Sequence, residues 1–234
     1  SLGKDQTVTP ERLEARKVHA VDGDGNQVHS WTVRKCLYCE VEHEGSTYVL
    51  SSGRWYRVDR DFVATVNASF NAVPRLEGFL PEYRHAGEAE YCAAVAAADG
   101  KRYVLLDQRT INIGGRYGKI ELCDLFTAAK DFVHVKRYGA SSVLSHLFAQ
   151  GAMSAEAFRY EADFRNKALE LLPRAFRWFH EPPSPADFRI VFAIVSYKAG
   201  ALTLPFFSRV NLRQTVKRLE AFSYRVALAK VTVE

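Results

Sequence analysis

The chain has 234 residues, 47% hydrophobic and 12% aromatic, enough apolar material for one large domain or two small ones, which excludes a disordered tail. Its formal charge of +5 and pI near 9.0 permit contact with nucleic acid without requiring it. No apolar run reaches the roughly 18 to 20 residues of a membrane-spanning helix, and SLGKDQTVTPERLEARK carries no signal-peptide core, so a soluble, cytoplasmic chain is expected. The chain opens on Ser1, not methionine, which leaves room for a domain N-terminal to it, and self-association is left open.

Residues 1–16 read as a polar linker or a disordered stretch, and residues 17–80 as a small β-rich lobe. Within that lobe KVHAV, SWTVRKCLYCEVEHEG, STYVLSSG and RWYRVD are strand-like, and DGDGN between the first two reads as a hairpin turn. DGDGNQVHS lacks the glutamate that would complete a calcium loop. Cys36 and Cys39 have CxxC spacing, but no second pair completes a tetrahedral zinc site, so all four cysteines read as structural thiols in apolar segments. Residues 61–70 are expected to be a short helix, and the prolines and glycine of 71–84 a junction.

From there to residue 234 the pattern is that of an α/β core. EAEYCAAVAAA (88–98) is alanine-rich with acids in its first turn, as a helix favours. Three strands follow, at 102–113, 119–127 and 131–138. Ser141 or Ser142 then caps a helix with Leu144, Leu147 and Phe148 at i, i+3 and i+4, and Ser154 starts another helix toward residue 172. After the breaker at 182–187, FRIVFAIVSY (188–197) is apolar on both faces, as a central strand covered twice should be. A basic amphipathic helix at 211–222 and a last strand at 226–233 complete a mixed sheet flanked by helices.

The unusual stretch is 119–150, KIELCDLFTAAKDFVHVKRYGASSVLSHLFAQ, where ionisable residues interrupt apolar strands. Between residues 101 and 140 eight basic side chains (Lys101, Arg102, Arg109, Arg116, Lys119, Lys130, Lys136, Arg137) face four acids (Asp107, Glu121, Asp124, Asp131). A carboxylate inside a strand is costly unless paired or bound to a cation. Residues two apart share a strand face, so His134 and Lys136 project together, and adjacent strands would bring Asp124 to them; Glu121 points to the opposite face unless a bulge intervenes. Asp107, ending YVLLD, is a third acid for the cluster. Oxygen ligands of this kind suit Mg²⁺ or Mn²⁺, and a nearby lysine offsets charge developing on a phosphate. Each residue also has a plainer reading: Lys136 and Arg137 as a solvated strand end, His134 as a half-buried histidine, Asp124 as a turn cap.

The order of these elements resembles the PD-(D/E)XK nuclease superfamily, whose restriction-endonuclease-like core runs α-β-β-β-α-β. The resemblance implies that Asp124 is the motif aspartate, Lys136 its lysine, Gln150 the glutamine of the following helix, and Glu90 or Glu88 the acid of the first helix. It makes Asp124, His134, Lys136, Gln150 and Glu90 catalytic candidates. Asp107, Asp124 and Glu121 become candidate ligands of Mg²⁺ or Mn²⁺. His134 departs from the motif by standing where a second carboxylate belongs, and imidazole is a poorer Mg²⁺ ligand; Asp107 or Glu121 would have to supply the missing oxygen. Lys119, Arg137, Ser141, Ser142, Arg213 and Lys217 are candidate contacts to nucleic acid, DNA before RNA.

Across nearly the whole length, YVLSSGRWYRVDRDFV (48–63), HAGEAEYC (85–92), IELCDL (120–125), HVKRYGASSVLSHLFAQG (134–151) and LPFFSRVNL (204–212) also resemble the C-terminal half of a bacterial family of sporadically distributed proteins, domain of unknown function 6119. Its patchy distribution implies an association with defence against foreign DNA. Three functions are consistent with these residues: a metal-dependent nuclease acting on DNA or RNA, an inactive relative that binds nucleic acid, and a protein-interaction domain.

Overall fold

The computed structural model describes residues 7–112, 114 and 118–234. The first six residues of the expected linker, the end of the expected strand at Ile113, and Arg116 lie outside the described residues. The chain divides into two compact units, residues 1–65 and 66–234.

Among the described residues the first element is α1 (Pro10–Ala15), a helix within the stretch read as a linker: Thr9 accepts the backbone N–H of Arg12, and Pro10 occupies the first helical position, where its missing N–H is not needed. An antiparallel hairpin of β1 (Lys17–Val21) and β2 (Gln27–Thr32) follows. Its turn is closed by the Asp22 carboxylate, which accepts the N–H groups of Asp24 (3.0 Å) and Asn26 (2.9 Å). The long strand expected through residues 30–45 is broken by α2 (Val33–Cys36), because the Thr32 hydroxyl caps it by accepting from Lys35 N–H. The strands β3 (Cys39–His43), β4 (Ser46–Ser51) and β5 (Arg54–Arg57) form an antiparallel sheet, and α3 (Arg60–Ala72) contains the division between the units. Cys36 and Cys39 are exposed free thiols and not core residues, whereas Cys92 and Cys123 are buried.

The second unit contains β6 (Arg75–Leu76), α4 (Glu88–Ala98), β7 (Tyr103–Leu105), β8 (Thr110–Ile111), β9 (Ile120–Glu121), β10 (Leu125–Thr127), β11 (Asp131–Arg137), α5 (Ser141–Tyr160), α6 (Ala162–Leu171), β12 (Arg189–Ser196), α7 (Phe206–Ala221) and β13 (Arg225–Thr232). It is a mixed α/β fold. Six strands form one sheet in the order β6-β13-β12-β11-β10-β7, with β7, β10 and β11 antiparallel and β11, β12, β13 and β6 parallel. Residues 66–80, read from sequence as part of the N-terminal lobe, fall in this unit, where Arg75 and Leu76 pair with β13.

Both faces of the sheet are covered, which is why β12 and β13 read as almost unbroken apolar runs. On one face Phe132, Phe192, Ile194 and Leu228 pack with Leu147, Phe148 and Phe158 of α5, Phe164 of α6 and Leu212 of α7. On the other, Val133, Val135, Val191 and Val231 pack with Tyr91, Cys92 and Val95 of α4. Each fully buried side chain of this size contributes about 1.5–3 kcal/mol. α5 runs unbroken through Ser154, which is buried inside it, and the chain breaks at Glu161 instead. The reason is that Ala155 and Phe158 continue the apolar face begun by Leu144 and Leu147, so the hydroxyl is absorbed by bonding to Gly151 O (3.2 Å). The N-cap of α5 is Ala140, without a side-chain cap bond, so neither Ser141 nor Ser142 plays that part.

Candidate metal centre

Two of the expected strands split where they leave the main sheet. Residues 102–113 divide into β7 and β8, and residues 119–127 into β9 and β10. β8 and β9 pair with each other as a short antiparallel arm, with Thr110 opposite Glu121. Asp107 and Asp124 stand at the two exit points and Glu121 on the arm. The break at Leu122–Asp124 is the irregularity that lets Glu121 reach the same place as Asp124, against strict strand alternation.

Asp124 is fixed by four backbone contacts. Its N–H donates to Val133 O (3.0 Å), and its carbonyl accepts from Leu106 N–H (2.9 Å) and Asp107 N–H (3.0 Å). Pairing of β10 with β11 covers Leu125↔Val133 and Phe126↔Phe132; beyond it the Val135 N–H donates to the Asp124 carboxylate at 2.5 Å, not to a ladder carbonyl. Asp107 is turned back by Gln108, whose φ of 61° lies in the left-handed region, where a non-glycine residue costs about 1 kcal/mol or more. The carboxylate oxygens of Asp107, Glu121 and Asp124 lie within 4.8 Å of one another.

The electrostatics of the three acids are unbalanced. Burial, reinforced by the charges of Asp107, Glu121 and Glu88, pushes Asp124 up to about 7 even though the Val135 N–H opposes the shift. Burial also raises Asp107, where Lys136 pulls the other way, and Glu121, where the Asp107 charge adds to the effect. A fourth acid shows the contrast: Asp131 is more deeply buried but accepts from Arg189 Nε (2.8 Å) and from the Thr127 hydroxyl (2.8 Å). Asp131 is thus satisfied by the fold, whereas among the described residues no ion pair to a cation matches the triad.

The fit to a hard divalent ion follows from this donor set: three carboxylates, all oxygen, converging on one point in a partly buried site. The adjoining cleft, about 200 Å³, is lined by Lys119, Glu121, Asp124, His134, Gln150 and Met153 among others. Lys119 and Gln150 therefore share the cleft with two members of the triad.

Lys136 stands at the end of β11 and its Nζ donates to Glu88 Oε2 at 2.6 Å, while Arg137 N–H donates to Glu88 Oε1 at 2.8 Å. The first-helix acid at the site is thus Glu88 and not Glu90, which is exposed and faces His85 at 3.9 Å. One position decides between them: Glu88 begins α4, beside the end of β11, and Glu90 is two residues further round the helix. Sequence reasoning offered both acids, and the deciding signal is their helical azimuth relative to Lys136.

His134 is not among the converging ligand atoms. It is buried, held neutral by burial that pulls it down to about 4, with Nε2 at 3.4 Å from Ser154 Oγ and its ring beside Phe192. The helix approaches it so closely that a Cβ at Gly151 would lie 2.5 Å from the Phe192 ring and 3.2 Å from His134 Cδ2. Gly151→Ala is accordingly expected to destabilise the fold by about 1–3 kcal/mol through overpacking, read as a lowered Tm. Among the nucleic-acid candidates, Arg137 lies at the end of β11 beside Glu88, and Ser141 and Ser142 open α5. Arg213 and Lys217 of α7 line a different cleft, with Pro74 and Val226, and do not join the triad.

The fold and the site together define an α/β sandwich that carries three charge-strained carboxylates where strands leave its sheet. The chain belongs to the family described as "Family of unknown function (DUF6119)", which matches residues 1–232. That span does not bear out the narrower resemblance to the C-terminal half alone. No curated protein and no solved structure matches the chain. Among the described residues, no helix is long and apolar enough to cross a membrane.

Proposed function

We propose that the second unit is a nuclease core that cleaves phosphodiester bonds with the help of a divalent cation, Mg²⁺ or Mn²⁺. The observation that carries the reading is the convergence of Asp107, Glu121 and Asp124 within 4.8 Å, each with a raised pKa and, among the described residues, none in an ion pair with a cation. The order α4, β7, β10, β11, α5, β12, with three antiparallel strands followed by a parallel one, supports it further. When bound, the cation would polarise the phosphate and make water a better nucleophile near neutral pH.

The chain's own residues account for the rest. Asp107, Glu121 and Asp124 would hold the cation. Lys136 presents an ammonium whose charge is felt at Asp107, and it can orient the attacking water and offset charge developing on the phosphate. Glu88 positions Lys136 through its 2.6 Å ion pair. Gln150 lines the cleft, and neutral His134 supports it from behind without titrating near pH 7.

The test is cleavage of labelled single- and double-stranded DNA and of RNA by the full chain with Mg²⁺, Mn²⁺ or EDTA. Cleavage is expected with either cation, none in EDTA, and at least about a 100-fold loss in Asp107→Asn and in Glu121→Gln. Cleavage that persists in EDTA, or at the wild-type rate in both folded variants, would falsify the assignment. Salt-sensitive binding with no cleavage under any cation would instead favour an inactive nucleic-acid-binding relative.

A further inference from the structure

A second cleft, about 570 Å³, opens at the carboxyl ends of the parallel strands β6, β13 and β12, the edge of an open α/β sheet where ligands bind. It lies on the same edge as Lys136. In the register Lys136 stands opposite Ile194, and Ile194 opposite Lys230. Lys136 and Lys230 are therefore two strand spacings apart, about 10 Å between backbones.

Lys136 apart, three cations of this edge, Lys230, Lys198 and Arg137, have side chains that donate only to neutral partners. Lys230 Nζ donates to the carbonyls of Lys198 (2.5 Å) and Gly200 (2.6 Å). Lys198 Nζ donates to the Tyr138 hydroxyl (3.1 Å) and lies 4.4 Å from that ring's centroid. The Arg137 guanidinium donates to Ala86 O (3.1 Å) and to the Tyr197 hydroxyl (3.0 Å). Among the described residues none of these three side chains is ion-paired with a carboxylate, whereas Arg189, Arg165, Arg218 and Lys136 each are. Carbonyls and hydroxyls satisfy donors but leave the charge in place. Glu77 is the acid on the cleft wall, and it pairs with none of them. Beside this row the Tyr197 ring, 70% exposed, is held at the mouth by Arg137.

A single phosphate would engage one or two of these cations; a row of three running from the cleft to Lys136 matches a polyanion, and an exposed ring within it matches a base. We infer that the carboxyl edge of β13, β12 and β11 is the track of a single nucleic-acid strand, its phosphates against Lys230, Lys198 and Arg137 and a base on Tyr197, leading to the acid triad. The inference rests on the nuclease reading for its direction, but its binding arm is independent of cleavage.

The experiment is fluorescence anisotropy of a labelled single strand of about 16 nucleotides with the full chain in EDTA, across a salt series. Lys198→Glu, on an exposed side chain, is expected to weaken binding about 10-fold or more and to flatten the slope of log affinity against log salt by about 0.7 or more. Tyr197→Ala is expected to weaken the single strand about 5-fold and a duplex less. The paired change Arg213→Glu with Lys217→Glu on α7 should leave affinity within about twofold, and melting curves check that every variant is folded. Absence of wild-type binding, or wild-type affinity in Lys198→Glu with loss in the α7 variant, overturns the track. If the edge variants lose affinity and no cation supports cleavage, the nuclease reading fails and the track stands; if cleavage occurs and the edge variants bind normally, the reverse holds.

Discussion

Asp124→Asn is expected to abolish cation-dependent cleavage and at the same time to make the protein more stable at neutral pH. The first effect follows from removing one of three converging oxygen ligands, a loss of at least about 100-fold in cation affinity. The second follows from linkage. A carboxyl raised to about 7 in the folded state binds a proton between about pH 4 and 7 that the unfolded chain has already released, so stability falls as pH rises through that window. Asparagine keeps an oxygen for the Val135 N–H but carries no charge, so the fall disappears. The expected gain at pH 7.5 is about 1–3 kcal/mol, discounted for partial exposure and shared charge with Asp107 and Glu121. Denaturant titrations of both proteins at pH 4 and 7.5, without divalent ions, measure it: the curves should lie closest at pH 4 and separate at 7.5. Wild-type stability that rises over this interval sinks the account of the triad. Added Mg²⁺ should stabilise only the wild type, with an effect that strengthens as pH passes 7 and Asp124 loses its proton.

Lys136→Ala is expected to leave the cation bound and the reaction slow. The ammonium reaches Asp107 electrostatically, so its removal leaves cation affinity unchanged or higher, while cleavage falls by about 100- to 1,000-fold. Glu88 keeps the Arg137 N–H but loses its ion pair, a cost of about 0.5–2 kcal/mol for a pair in which both side chains are about a quarter to a third exposed. Lys136→Arg retains the charge but cannot place a compact ammonium, and should rescue stability without rescuing rate. Isothermal titration with Mn²⁺ beside single-turnover cleavage separates the roles. A parallel loss of cation affinity and rate would make Lys136 a structural support and not a group acting on the reaction.

The helices and long strands of the second unit were legible because each has one dominant period or composition. Residues 88–98, 131–137 and 225–232 are helix or strand in the structure close to where alanine content, alternation and apolar runs put them. What was not legible was where a strand stops. YVLLDQRTINI and KIELCDL look continuous because β-propensity is uniform along them, yet each breaks at its aspartate, where backbone N–H groups turn from the ladder to a carbonyl or a carboxylate. Those breaks made Glu121 a neighbour of Asp124, which alternation alone forbids. His134 was misleading for a related reason. Its spacing from Lys136 put it in the motif, but the close approach of Gly151 puts it in the core, and only the packing of α5 shows that.

The arm formed by β8 and β9 gives the triad a topological meaning. Asp107 and Asp124 bound the segment that contains the arm, and Glu121 lies within it, so an ion shared by all three would close a covalently open excursion of the chain into a ring. Such a clasp acts on the chain as a reversible cross-link does, by restricting the ensemble that the segment can explore when it is not folded. The acids that strain the fold without a cation would then be the same groups that lock it.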